Sequence, residues 1–220
     1  MSNDKRRFIH SLLFPGFFLI VIWTIKLTEK VLYVNFSNLG IYPLKLKGLL
    51  GILTAPLIHA DFEHLITNSI PVLLLSTGIF YFYKRIAYKV FFLSYFITNI
   101  WIWLGARYAY HIGASGLIYS FASFLFFSGI LRKNIKLIAV SLLVVFLYGS
   151  MIWGLLPIQP QISWESHLMG AISGLVLAVY FKNHMPEKTI YSWELDDDDD
   201  DESGKKYWEI DDDTNETDFI

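Results

Sequence analysis

Residues 58–83 read Ile58-His59-Ala60-Asp61-Phe62-Glu63-His64-Leu65-Ile66-Thr67-Asn68-Ser69-Ile70-Pro71, then Val72-Leu73-Leu74-Leu75 and on to Tyr83. Polar groups gather at the start, and the rest is almost wholly apolar. A core-facing helix of a soluble domain would instead spread its polar residues along one stripe. A helix of about 20 apolar residues crosses the roughly 30 Å hydrocarbon core of a bilayer. The segment therefore predicts a membrane span with a polar outer end.

Similar blocks flank it. Residues 8–27 predict a first span after Lys5, Arg6 and Arg7. The block is too long for a signal-peptide core, and no small-residue cleavage site follows it. Residues 28–56 are broken by Glu29, Lys30, Asn35, Gly40, Pro43, Lys45 and Lys47, and predict an interfacial loop. Further spans are expected at 86–104, 115–131, 137–156 and 166–181. The fold class is thus an all-α membrane protein with six transmembrane helices, since lipid admits only helices or closed barrels. The alternating ten-residue strands of a barrel are absent. Composition agrees: 54% of the 220 residues are hydrophobic, against about 45–50% in ordinary globular domains, and mean hydropathy is +0.43.

Charge gives orientation and limits partners. Lys84, Arg85, Lys89, Arg132, Lys133, Lys136, Lys182 and Lys188 join the N-terminal cluster on one side. Lys26, Lys30, Lys45, Lys47 and Arg107 lie on the other. The bias predicts both termini in the cytoplasm. Residues 1–184 form the expected membrane domain. Residues 185–220 form an acidic tail, with Asp196 to Asp201 in one run, expected to be disordered because such charge density cannot bury apolar area. No basic stripe interleaved with aromatics suggests nucleic acid. The absence of cysteine excludes disulfides, zinc thiolates and a cysteine nucleophile.

Polar groups inside a bilayer are costly and mark function. Three clusters stand out: His59, His64 and Asn68; Gly113-Ala114-Ser115-Gly116; and His167-Leu168-Met169-Gly170 with Gly174. They open the second, fourth and sixth spans, which all run from outside to inside, so all three lie at one depth. His64 and Asn68 are four apart and share a helix face, as do Ser115 and Tyr119. His167, Gly170, Gly174 and Ala178 form a stripe along which two helices can approach closely. Gly113 and Gly116 would allow a tight entry turn at Ser115. Histidine is the usual base for a serine nucleophile, and Asn68, His64 and the Ser115 backbone N–H are candidate donors to the resulting oxyanion. Each cluster alone has a plainer reading as helix packing or an interfacial side chain. His10, His111 and His184 keep that plainer reading, and Asp61, Glu63 and Glu165 read as solvated rim groups.

Jointly, in this order and on alternate spans, the clusters resemble the rhomboid family. The family shows a histidine and then His-x3-Asn on its second helix, Gly-x-Ser-Gly on the fourth, and a histidine followed by small residues on the sixth. The resemblance covers about residues 8–182. It implies a six-helix rhomboid-type bundle and a serine endopeptidase that cuts membrane proteins in or near their transmembrane segments. It implies Ser115 as nucleophile, His167 as base and Tyr119 stacked on the histidine ring. His64 and Asn68 would line the oxyanion hole, with no metal or cofactor. Transmembrane protein substrates and the lipid bilayer are the implied partners, and a bacterial inner membrane the expected location. One departure is Leu50-Gly51, where many members carry Trp-Arg in the first outer loop. The alternatives are an inactive rhomboid-like protein that binds membrane clients, and a small transporter. The uncharged middles of the spans disfavour the transporter.

Overall fold

The computed structural model describes residues 3–133, 135–148, 153–157 and 163–184. Among them the regular elements are seven α-helices: α1 (Asn3–Leu32), α2 (Gly51–Thr54), α3 (Phe62–Phe82), α4 (Ala87–Gly105), α5 (Ser115–Leu131), α6 (Ile135–Tyr148) and α7 (Trp164–Tyr180). The acidic tail lies outside the described residues. Three helices, α1, α3 and α4, are long and apolar enough to cross a membrane. The other long ones, α5, α6 and α7, have 17, 14 and 17 residues. Large apolar side chains face outward: Phe17, Ile20, Ile70 and Phe146 are 61%, 65%, 62% and 85% exposed. In water such a girdle would be an interaction surface; against lipid tails it is matched.

The α1 helix outruns the expected 8–27 because its late charges are used. Lys26 Nζ pairs with Glu29 at 3.0 Å and donates to the His59 and Ala60 carbonyls at 2.9 Å. Glu29 Oε1 accepts the Phe36 backbone N–H at 2.7 Å. The expected interfacial loop is built of short helical turns: 3-10 turns at Ser37–Leu39, Leu46–Gly48 and Ala55–Leu57 around α2. Polar side chains of α4 hold it, with Asn99 Nδ2 donating to the Ile52 carbonyl at 3.0 Å and Trp103 Nε1 to that of Lys45 at 3.2 Å. At the departure from the usual loop motif, Leu50 is half exposed and Gly51 lies against the Gly40–Ile41 backbone, where a Cβ would stand 2.2 Å from the Ile41 nitrogen.

The fourth span falls at 115–131 as expected. Of the fifth span, expected at 137–156, α6 is described to Tyr148 and residues 153–155 form a 3-10 turn, while residues 149–152 lie outside the described residues. Two kinds of packing hold the bundle. The α5 and α7 helices meet through small residues: a Cβ on Gly170 would lie 2.0 Å from the Gly116 carbonyl oxygen, and one on Gly174 2.1 Å from that of Ser120. Such backbone contact is how membrane helices gain dispersion energy without a hydrophobic drive. On the α1 side the core is aromatic. Phe14 meets Phe91 edge to face at 4.8 Å and stacks on Phe80 at 5.2 Å, while Phe91 lies 5.3 Å from Phe121.

Candidate active site

The chain enters α3 through Asp61, whose Oδ1 accepts the His64 backbone N–H at 2.7 Å. This N-cap satisfies an otherwise orphaned donor of the first turn, and fixes the turn that carries His64 and, one turn on, Asn68. Glu63 is exposed beside it. Glu165 is not the solvated group expected: it is 5% exposed and Oε1 lies 3.5 Å from Arg107 Nε. A carboxylate this buried needs a countercharge, and Arg107 comes from the α4–α5 connection, remote in sequence.

A cavity of about 800 Å³ is lined by His64, Asn68, Ser115, Tyr119 and His167, together with Arg107 and His111. The three sequence clusters thus meet at the N-terminal ends of α3, α5 and α7. Ser115 is half-buried at the first position of α5. There its N–H is one of the four a helix leaves without an internal partner, at the positive end of the helix dipole. The preceding Gly113 has φ +105°, a conformation that side-chain-bearing residues rarely adopt. Its missing side chain matters equally. A Cβ there would come 2.7 Å from His64 Cε1, 2.9 Å from His64 Nε2 and 3.8 Å from Asn68 Nδ2. Gly113 therefore keeps space open beside two side-chain donors. Asn68 is 6% exposed, and its Nδ2 has no hydrogen-bond partner. A buried donor left empty costs about 1–3 kcal/mol, so it calls for an explanation.

His59 does not line the cavity. It sits behind the wall, where its Nε2 accepts the Ala114 backbone N–H at 3.4 Å, and its ring meets that of His64 edge to face at 5.2 Å. Gly116, Gly170 and Gly174 likewise lie behind the site, in the α5–α7 contact.

The His167 ring is fixed on two sides. It stacks on Tyr119, with centroids 4.2 Å apart and planes 12° from parallel. Its Nδ1 lies 2.8 Å from the Gly154 carbonyl oxygen. A carbonyl only accepts, so Nδ1 carries the proton and the neutral ring keeps its lone pair on Nε2. Gly154 must be small, because a Cβ would lie 2.1 Å from the Tyr119 hydroxyl and 3.0 Å from Nδ1. A backbone acceptor has no residue-type signature, and only the glycine hinted at it. His111 was also missed. It is 3% exposed and engaged at both ring nitrogens, with Ser163 Oγ at 2.6 Å and the Arg107 carbonyl at 3.0 Å. Burial pushes this histidine below its ordinary value. Among the described residues no group of three or more metal-ligating side chains could hold a metal ion.

Comparison with known proteins places this architecture. A protein of Mycobacterium tuberculosis, named as uncharacterized, is 32% identical over 175 residues, covering 73% of this chain and 71% of its own length. An uncharacterized protein of Mycobacterium bovis gives the same values. One of Mycobacterium leprae is 34% identical over 180 residues, covering 73% of this chain and 67% of its own. The model of the Rhomboid domain matches residues 47–184, which span every cluster around the cavity, and this chain is a member of the rhomboid family of integral membrane proteins.

Proposed function

We propose that this protein is an intramembrane serine endopeptidase working through a Ser115–His167 dyad. The observation that carries the reading is the fixed tautomer of His167, stacked on Tyr119 and hydrogen-bonded at Nδ1 to the Gly154 carbonyl, in the wall of a cavity that Ser115 also lines. A general base needs its free lone pair on the side of the nucleophile, and that is usually arranged by an acidic third residue. Here a backbone carbonyl takes the orienting role. Glu165 is committed to Arg107.

In this mechanism Ser115 Oγ gives its proton to His167 Nε2 and attacks the scissile carbonyl. The new oxyanion is met by the Ser115 N–H, the empty Asn68 Nδ2 and His64. Donors set in place beforehand act mainly on the transition state. His167 then hands the proton to the leaving amine. A water, deprotonated by the same ring, releases the acyl group from Ser115. The bond is cut at the outer ends of α3, α5 and α7, so the substrates are membrane proteins cleaved in or near the outer part of their spanning segments. The basic residues of the loops support cytoplasmic termini, and the mycobacterial relatives support a bacterial cell membrane.

Labelling by a fluorophosphonate probe tests the reading. The purified protein should label at Ser115, and Ser115→Ala and His167→Ala should not label, while both fold. A protein that folds but neither labels nor cleaves a reporter with a membrane-embedded site is instead an inactive, client-binding member of the family.

A further inference from the structure

His111 is a buried, titratable group that the proposed chemistry does not use, yet it sits at a junction of three elements. Its backbone forms an isolated antiparallel bridge with Ile41, with N–H to O distances of 2.8 and 3.0 Å. This ties the segment ahead of α5 to the first outer loop. Its side chain reaches the other way, to Ser163, the N-cap of α7.

The proton positions in this contact follow from chemistry. The Arg107 carbonyl can only accept, so His111 Nε2 carries the hydrogen across 3.0 Å. Burial disfavours the charged form of the ring, and the neutral ring with its hydrogen on Nε2 accepts at Nδ1. Ser163 must spend its one hydroxyl hydrogen on that nitrogen, at 2.6 Å. Its oxygen is left to accept from the Ser166 hydroxyl at 2.6 Å and the Ser166 N–H at 3.3 Å. The relay runs in one direction, from Ser166 through Ser163 and His111 to the Arg107 carbonyl. Both ends touch the reaction centre's supports. His111 is four residues ahead of Ser115. Ser166 precedes His167, and its carbonyl oxygen would lie 3.1 Å from a Cβ on Gly116, the residue after Ser115. The Arg107–Glu165 ion pair runs beside the relay between the same two segments.

We propose that His111 is a positioning residue for the proteolytic reaction: through Ser163 and Ser166 it fixes the segment that delivers Ser115 against the first turn of the helix that carries His167. The inference rests on the dyad assignment above. Gly170 and Gly174 set how closely α5 and α7 pack; this relay sets where their N-terminal ends stand relative to one another. Misplacing reacting groups by about 1 Å can cost 10²-fold in rate.

The test is reporter cleavage in proteoliposomes, with a melting curve for every variant and Ser115→Ala as the background. His111→Ala should lower kcat about 10- to 100-fold and leave KM within about threefold, since substrate binding does not depend on dyad geometry. Ser163→Ala should act in the same direction, and the double variant should be no worse than the poorer single one, because both break one relay. His111→Gln, which keeps a donor and an acceptor on one head group, should recover most of the loss. The proposal is overturned if folded His111→Ala keeps wild-type kcat, if the two losses multiply, or if Gln is no better than Ala at equal stability. A wild-type protein without Ser115-dependent cleavage would overturn the dyad assignment and this inference together, which separates the two failures.

Discussion

Two helix contacts in this bundle are built on opposite principles. The α5–α7 pair meets backbone to backbone, with Gly170 on the Gly116 carbonyl and Gly174 on that of Ser120. The α1 side is filled by ring edges and faces, among them Phe14, Phe18, Phe80, Phe91 and Phe121. Aromatic packing contributes area and tolerates small shifts, because each ring touches several others. Glycine packing fixes a distance to less than the width of a methyl group. Ser115 and His167, proposed for chemistry, sit on the two helices joined by the glycine contact. Precision and bulk stability are thus assigned to different parts of the molecule, and the two should fail separately.

The sharpest separation is at the dyad. Ser115→Ala and His167→Ala should each reduce reporter cleavage to background while the melting temperature stays close to wild type. Neither side chain belongs to the aromatic core, and their loss leaves the glycine contact intact. Cleavage that survives in Ser115→Ala would reduce the α5–α7 contact to simple packing.

Asn68 comes next. If its unpartnered Nδ2 waits for the oxyanion, Asn68→Ala loses about 10²–10³ in kcat with KM within a few-fold. If it ties helices together, the variant loses stability instead, by about 0.6–2 kcal/mol, and keeps kcat per folded molecule. Steady-state kinetics beside a melting curve distinguish the outcomes.

The comparison itself is tested by one substitution on each side. Gly170→Val forces a side chain to within 2.0 Å of the Gly116 carbonyl oxygen. The helices must part, and activity should fall by more than stability. Phe91→Ala opens a cavity in the aromatic cluster, where Phe91 is 2% exposed. Its stability cost should lie at or below the about 3–5 kcal/mol of such changes in water-soluble cores, because lipid already solvates apolar groups in the unfolded reference. Its kcat per folded molecule should hold. The reverse pattern would erase the division of labour.

How far the sequence foretold this depends on how local each signal is. The apolar blocks gave the bundle, and the fourth span starts at Ser115 and ends at Leu131 as read. Polar side chains at the N-terminal ends of α3, α5 and α7 were legible because lipid makes them conspicuous. Glu165 was read as a solvated rim group and His111 as a plain interfacial side chain for one reason: their partners, Arg107 and Ser163, are remote in sequence, so neither buried polar contact left a local signal. The short turns between Ser37 and Leu57 lack any period long enough to register. Gly154 acts through its backbone, which every residue possesses.

The smallest effect belongs to Tyr119. Its ring lies 4.2 Å from the His167 ring and nearly parallel to it, an arrangement worth about 0.5–1.5 kcal/mol beyond area burial. That corresponds to roughly a 2- to 10-fold change in rate if the stack is needed to hold the base in place. Tyr119→Phe keeps the ring face and should remain within about twofold of wild type in kcat. Tyr119→Leu keeps comparable apolar bulk but no flat face, so His167 is held only through Nδ1 and the Gly154 carbonyl. It should show the full loss, in kcat and not in KM. A Leu variant as fast as wild type would mean that the Gly154 hydrogen bond alone orients the ring. A Phe variant as slow as Leu would move the role from the ring to the hydroxyl, which packs where a Gly154 side chain would otherwise stand.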